Sequence, residues 1–101
     1  MAVIQTARFQ VRRDAVDKCL AAIQEFCDYI QANEPGTLEY VSLQQPDDPT
    51  KFLHYIIFKD QAADDIHSHS AAVKRFQDKL YPELLAPVDF IQFTLVRKVA
   101  R

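Results

Sequence analysis

Residues 52–58, Phe-Leu-His-Tyr-Ile-Ile-Phe, are apolar on both parities of a strand. Successive side chains of a strand point to opposite faces, so Phe52, Ile56 and Phe58 share one face with His54, while Leu53, Tyr55 and Ile57 take the other. Such a strand needs an apolar cover on each side. The stretch 88–99 repeats the demand, with Phe90 and Val96 on one parity and Ile91, Phe93 and Leu95 on the other. Any fold for this chain must therefore supply a sheet with both faces covered, from 101 residues that read as one domain over 1–101.

The remaining elements follow from period and punctuation. Residues 2–11 alternate, with Val3, Ala7, Phe9 and Val11 opposite Thr6, Arg8 and Gln10, which predicts a strand. Asp14 is placed to cap the helix that follows, whose stripe is Val16, Cys19, Leu20, Ile23, Phe26, Cys27 and Ile30. Pro35 pushes Glu34 out of helical geometry, and Gly36, the only glycine, is expected to turn the chain in a tight backbone role. Thr37 to Gln44 reads as a second strand, with Leu38, Tyr40 and Ser42 on one face, and the proline-bounded segment 45–50 as an exposed loop before the third strand, 52–59. Asp60 is expected to cap a second helix with the stripe Ala62, Ala63, Ile66, Val73, Phe76 and Leu80, broken near Ser70. The stretch 88–99 is expected to be one long last strand.

The order β-α-β-β-α-β is the ferredoxin-like, α+β arrangement: a four-stranded antiparallel sheet with helices on one face. No element is left to cover the other face. A second copy of the chain is the expected cover, making a homodimer.

Composition narrows the partners. A net charge of −2 offers no basic footprint for nucleic acid. No apolar run approaches the roughly 20 residues of a membrane span, and no basic segment followed by an apolar run opens the chain, so a cytoplasmic location is expected. Cys19 and Cys27 fall on one helix with roughly 12 Å between their backbones, too far for a disulfide, and are read as reduced core thiols.

All three histidines lie between Phe52 and Phe76. His54 is a polar group among apolar neighbours: either a backbone-bonded core imidazole or a base or orienting group, because imidazole titrates near neutral pH. His67, one turn after Ala63, flanks the apolar stripe, and either reaches a pocket or bonds its own helix. His69 diverges from His67 by about 200° on a helix, so the pair makes no metal site. One glycine excludes a phosphate-cradling loop, and no nucleophile elbow surrounds Ser68 or Ser70. Tyr40, Tyr55 and Tyr81 read as wall or interface residues. No metal, nucleotide or flavin motif is present.

Glu34-Pro35-Gly36-Thr37-Leu38-Glu39-Tyr40, Pro46-Asp47-Asp48-Pro49, Phe52, Tyr55, Asp60, Ala63, His67 and Ser70 together resemble the antibiotic biosynthesis monooxygenase (ABM) domain over nearly the whole chain. The resemblance implies a dimeric α+β barrel, two sheets face to face, with each pocket between its own sheet and helices. It also implies a cofactor-independent monooxygenase that oxidises a small reduced aromatic, of hydroquinone or polyphenol type, with molecular oxygen. His67 and His54 would then be the catalytic candidates, and Phe52, Ile56 and Phe58 the substrate-binding ones, with no cofactor and no metal. The chain departs from the pattern at Ile56, where the family commonly has glutamate, at Phe58, where it has tryptophan, and at Ala72, where a second histidine is frequent. Haem-degrading relatives use a tryptophan and a later helix histidine; this chain has no tryptophan and no histidine in 73–80. The departures at Ile56 and Phe58 keep two alternatives open: a non-catalytic dimeric binder of small apolar molecules, and a cofactor-free isomerase in the same cleft.

Overall fold

A computed structural model describes residues 2–101. The chain forms strand β1 (Val3–Gln10), helix α1 (Val16–Asn33), β2 (Thr37–Gln44), β3 (Lys51–Phe58), helices α2 (Gln61–Ser68) and α3 (Ala71–Leu80), and β4 (Asp89–Phe93). The sheet is antiparallel throughout, in the order β2–β3–β1–β4. The helices lie on one face of this ferredoxin-like α+β fold. Phe52, His54, Ile56 and Phe58 alternate inward along β3, and the buried core joins Phe9, Val11 and Phe52 of the sheet side to Phe26 and Ile30 of α1 and Phe76 and Leu80 of α3.

Four local expectations are corrected. Asp14 caps nothing: a 3-10 turn, Arg13–Ala15, precedes α1, and neither end carries a side-chain cap. The chain is anchored there by Arg12 instead, whose guanidinium meets the Glu83 carboxylate at 2.7 Å. Leu38 does not pack inward with Tyr40 and Ser42, because a register shift between Thr37 and Glu39 leaves it exposed at the sheet edge. Ile66 is 64% exposed, and α2 turns Ala63 and His67 inward in its place. The last strand stops at Phe93 because its only partner, β1, runs out: Phe93 already lies opposite Ile4. Beyond it the chain crosses the open face, so that Lys98, leaving from the β4 edge, stands 3.7 Å from Glu39 on the far edge strand.

The expected cap and break of the second helical region are present. Asp60 accepts from the Ala63 N–H at 2.9 Å, and Ser70 accepts from the Val73 N–H at 3.0 Å, so the segment is two helices. Both cysteines are free thiols, and burial raises them, Cys19 to about 11. Among the described residues no helix is long and apolar enough to cross a membrane.

Gly36 has no left-handed backbone. Its role is close approach: a Cβ there would stand 2.7 Å from the Ala63 Cβ on α2. The bare Cα lets the turn after α1 press against α2, while the Lys59 N–H bonds the Gly36 carbonyl at 2.8 Å. Gly36→Ala is expected to cost about 1–3 kcal/mol of unfolding free energy through overpacking, read from urea denaturation; an unchanged midpoint would show that the turn moves aside freely.

Candidate functional site

Strand register sets the floor of the site. On the helix-covered face, Tyr40, Ile56 and Gln5 form one cross-strand row, and Ser42, His54, Ala7 and Phe90 the next. Ala7 is the small member of its row, so the floor is low between His54 and Phe90. Above this dip lies a cavity of about 210 Å³, roofed by Phe26 of α1, His67 of α2 and Phe76 and Leu80 of α3. Exposed Ser68, Tyr81 and Phe90 mark its mouth.

His67 reaches the cavity because α2 places it one turn after Ala63, facing the sheet. Its ring lies 5.2 Å from that of Phe58, 5.3 Å from Phe26 and 5.9 Å from Tyr40. Behind it, Nδ1 meets Oε1 of Glu34 at 2.8 Å. The same oxygen accepts the Thr37 hydroxyl at 2.8 Å, and Oε2 of Glu34 is buried without a protein partner. Both members of the pair are buried, His67 8% and Glu34 5% exposed. A carboxylate is acceptor-only, so Nδ1 carries the ring proton and donates to it. In the neutral ring Nε2 then holds a lone pair, and it makes no hydrogen bond to the described residues. A carboxylate that fixes the tautomer of an imidazole lining an apolar cavity is the geometry of an oriented general base.

His54 is 1% exposed and engaged on both sides, with the Tyr40 hydroxyl 2.6 Å from Nδ1 and the Ser42 hydroxyl 2.9 Å from Nε2. Its ring also lies edge-on to Phe9, with centroids 5.0 Å apart. Burial pushes its pKa down to about 4, so the ring is neutral near pH 7. Burial likewise holds the Tyr40 phenol well above its ordinary range, helped by the nearby Cys27 and Glu34.

The cavity thus brings together His54, His67 and Ile56 of the expected site residues. Phe52 and Phe58 sit in the packed interior behind its wall: Phe52 stacks on Phe9 with centroids 5.2 Å apart, and Phe58, fully buried, supports His67 from below. Tyr40 and Tyr81 are wall residues, and Tyr55 lies on the open face. His69 is exposed and donates from Nδ1 to the Asp65 carbonyl at 2.8 Å. Among the described residues no group of three or more His, Cys, Asp or Glu side chains is arranged to hold a metal.

Sequence reasoning missed the roles of Glu34, Tyr40 and Ser42. Glu34 had one visible signal: it stands four residues after Ile30 on the stripe Phe26–Ile30, an acid where the helical period calls for an apolar residue. Nothing local marked Tyr40 or Ser42, whose contact with His54 depends on the register of β2 against β3.

The depressed His54 pKa has a consequence for stability. Above pH 6.5 the imidazole is neutral in both folded and unfolded chains. Below it, the unfolded chain takes a proton that the folded chain refuses until about 4, so acid favours unfolding. Stability is expected to fall by up to about 3 kcal/mol between these pH values, read from urea midpoints. In His54→Gln, which has no proton to gain, this part of the slope should vanish.

A family model described as antibiotic biosynthesis monooxygenase matches residues 2–79. Solved structures with the same fold include a candidate antibiotic biosynthesis monooxygenase from Bacteroides thetaiotaomicron, 16% identical, covering 99% of this chain and 94% of its own with a TM-score of 0.90. Another from Nitrosomonas europaea is 21% identical over 96% of this chain and 100% of its own, TM-score 0.85. A Mycobacterium tuberculosis protein is 19% identical over 99% and 100%, TM-score 0.88. A comparison with curated protein sequences gives no match.

Proposed function

The chain belongs to the antibiotic biosynthesis monooxygenase family, and from that premise we propose that it is a cofactor-independent monooxygenase acting on a small dihydroxyaromatic of hydroquinone or polyphenol type. The observation that carries this reading is the buried Glu34–His67 pair, at 2.8 Å, behind an apolar cavity. A cavity of about 150 Å³ accepts benzene, so about 210 Å³ suits one substituted ring.

In this reading His67 Nε2 removes a phenolic proton, while Glu34 accepts the Nδ1–H bond and offsets the imidazolium charge. The electron-rich anion reduces oxygen directly, and a bond forms between a ring carbon and one oxygen atom. His67 returns its proton to the peroxide. Loss of the ring-carbon hydrogen and cleavage of the O–O bond then release water and leave a hydroxyquinone, so one oxygen atom enters the ring and the other ends as water. Phe26, Ile56 and Phe76 exclude bulk water from the anion. Of the two expected histidines, His67 is the base; His54, with both nitrogens engaged, supports Tyr40.

Oxygen-electrode measurements with a panel of hydroquinones and catechols test this. Turnover is expected in the wild type, falling by roughly 10²–10⁴ in His67→Ala. Ligand binding with no oxygen consumption would assign the chain to the non-catalytic binders, and ligand proton exchange without oxygen uptake to the isomerases.

The same reading includes a homodimer. Val41, Leu43, Ile91 and Phe93 lie on the face away from the helices and are exposed in one chain, as are Leu95 and Val96 beyond β4. A second copy laid on this face would cover it. Light scattering at micromolar concentration is expected to give twice the chain mass, and Ile57→Asp, which would bury an unpaired charge, to give the mass of one chain or an unfolded protein. A wild-type mass of one chain would overturn the dimer.

A further inference from the structure

Two polar groups of the cavity are locked by partners behind them, and the locks decide how each can bond to a ligand. His67 Nδ1 is committed to Glu34, which leaves Nε2 as an acceptor. His54 stands between two hydroxyls, Tyr40 at 2.6 Å from Nδ1 and Ser42 at 2.9 Å from Nε2. A neutral imidazole has one N–H and one lone pair. A phenol is the stronger donor of the two hydroxyls, so the shorter contact is Tyr40 donating to Nδ1, and Nε2–H donates to Ser42. With its one proton committed, the Tyr40 oxygen offers a ligand only lone pairs. The rings of Tyr40 and His67 are 5.9 Å apart and line the same cavity.

We infer that Tyr40 determines specificity beside His67, and that the paired acceptors select a ring with two adjacent hydroxyl donors, a catechol-type 1,2-diol. This rests on the proposed reading of the cavity as the ligand site. One hydroxyl donates to His67 Nε2 and is the one deprotonated; its neighbour donates to the Tyr40 oxygen. With the two acceptors side by side, as this proposal requires, a ring with hydroxyls on opposite carbons satisfies only one of them. A ring oxidised to adjacent carbonyls sets lone pairs against lone pairs, which favours release of the oxidised product. The His54–Ser42 pair gains a role here: it draws the phenolic proton of Tyr40 away from the cavity.

The test is anaerobic calorimetric titration of the wild-type protein with catechol, 2-methoxyphenol, 1,2-dimethoxybenzene and hydroquinone. Affinity is expected to fall in the order catechol, 2-methoxyphenol, 1,2-dimethoxybenzene, by about threefold to tenfold for each donor lost, with hydroquinone weaker than catechol. In Tyr40→Phe, catechol and 2-methoxyphenol should bind within about twofold of each other. Hydroquinone binding more tightly than catechol, or 1,2-dimethoxybenzene binding as tightly, would overturn the proposal on the wild type alone, whatever the variant's stability. A folded Tyr40→Phe that kept the full catechol preference would also overturn it. Binding of none of the four would overturn both this proposal and the cavity reading. The predicted ranking without any oxygen uptake would support the selectivity and sink the oxygenase reading alone.

Discussion

A carboxylate and an imidazole 2.8 Å apart, both withdrawn from water, tie the end of α1 to the last turn of α2. Burying either group alone would be costly, because an unpaired ionised side chain loses its hydration without compensation. The neighbouring features all serve this contact. Pro35 ends α1 so that Glu34 leaves the helix with its N–H on the Ile30 carbonyl at 2.9 Å. Gly36 brings the following turn against Ala63, one helical turn before His67. Asp60 begins α2 in the orientation that points His67 at the sheet. Thr37 then adds its hydroxyl to the carboxylate.

The two histidines of the cavity are held by opposite means. His67 is paired with an acid, so a proton gained at Nε2 has a negative partner across the ring. His54 has only hydroxyls and aromatic rings around it, and burial keeps it neutral, with its pKa near 4. One fold thus sets one ring beside a carboxylate and the other among hydroxyls and aromatic rings, both around Tyr40, whose ring lies 5.9 Å from the first and 5.2 Å from the second. The difference comes from partners, since the side chains are the same.

Much of the fold was legible. Apolar residues on both parities of 52–58 and 88–99 required a sheet with two apolar faces, and the order of periods specified the ferredoxin-like arrangement. Parity alone placed His54 on one face of β3 with Phe52, Ile56 and Phe58, because a strand's side-chain period is two whatever its neighbours are; that the helices cover this face was decided by packing. The errors fell where one segment depends on another. The alternation of 88–99 carried no sign that β1 would end first, and β4 stops at Phe93 for want of a partner. The stripe on the second helix counted Ile66 as inward, but the docking angle of α2 turned His67 there instead.

From the sequence alone came the elements, their order, the apolar demand of both sheet faces and the side of β3 that bears His54. These are properties of period and punctuation, and each can be read within a dozen residues. Only the tertiary structure decided that Glu34 meets His67 across 33 positions, that Tyr40 and Ser42 flank His54, and that Ala7 leaves room between them and Phe90. Those contacts depend on strand register and helix docking, which are set by the packing of distant segments against one another. A hydrogen bond between two side chains leaves no period in the chain that makes it.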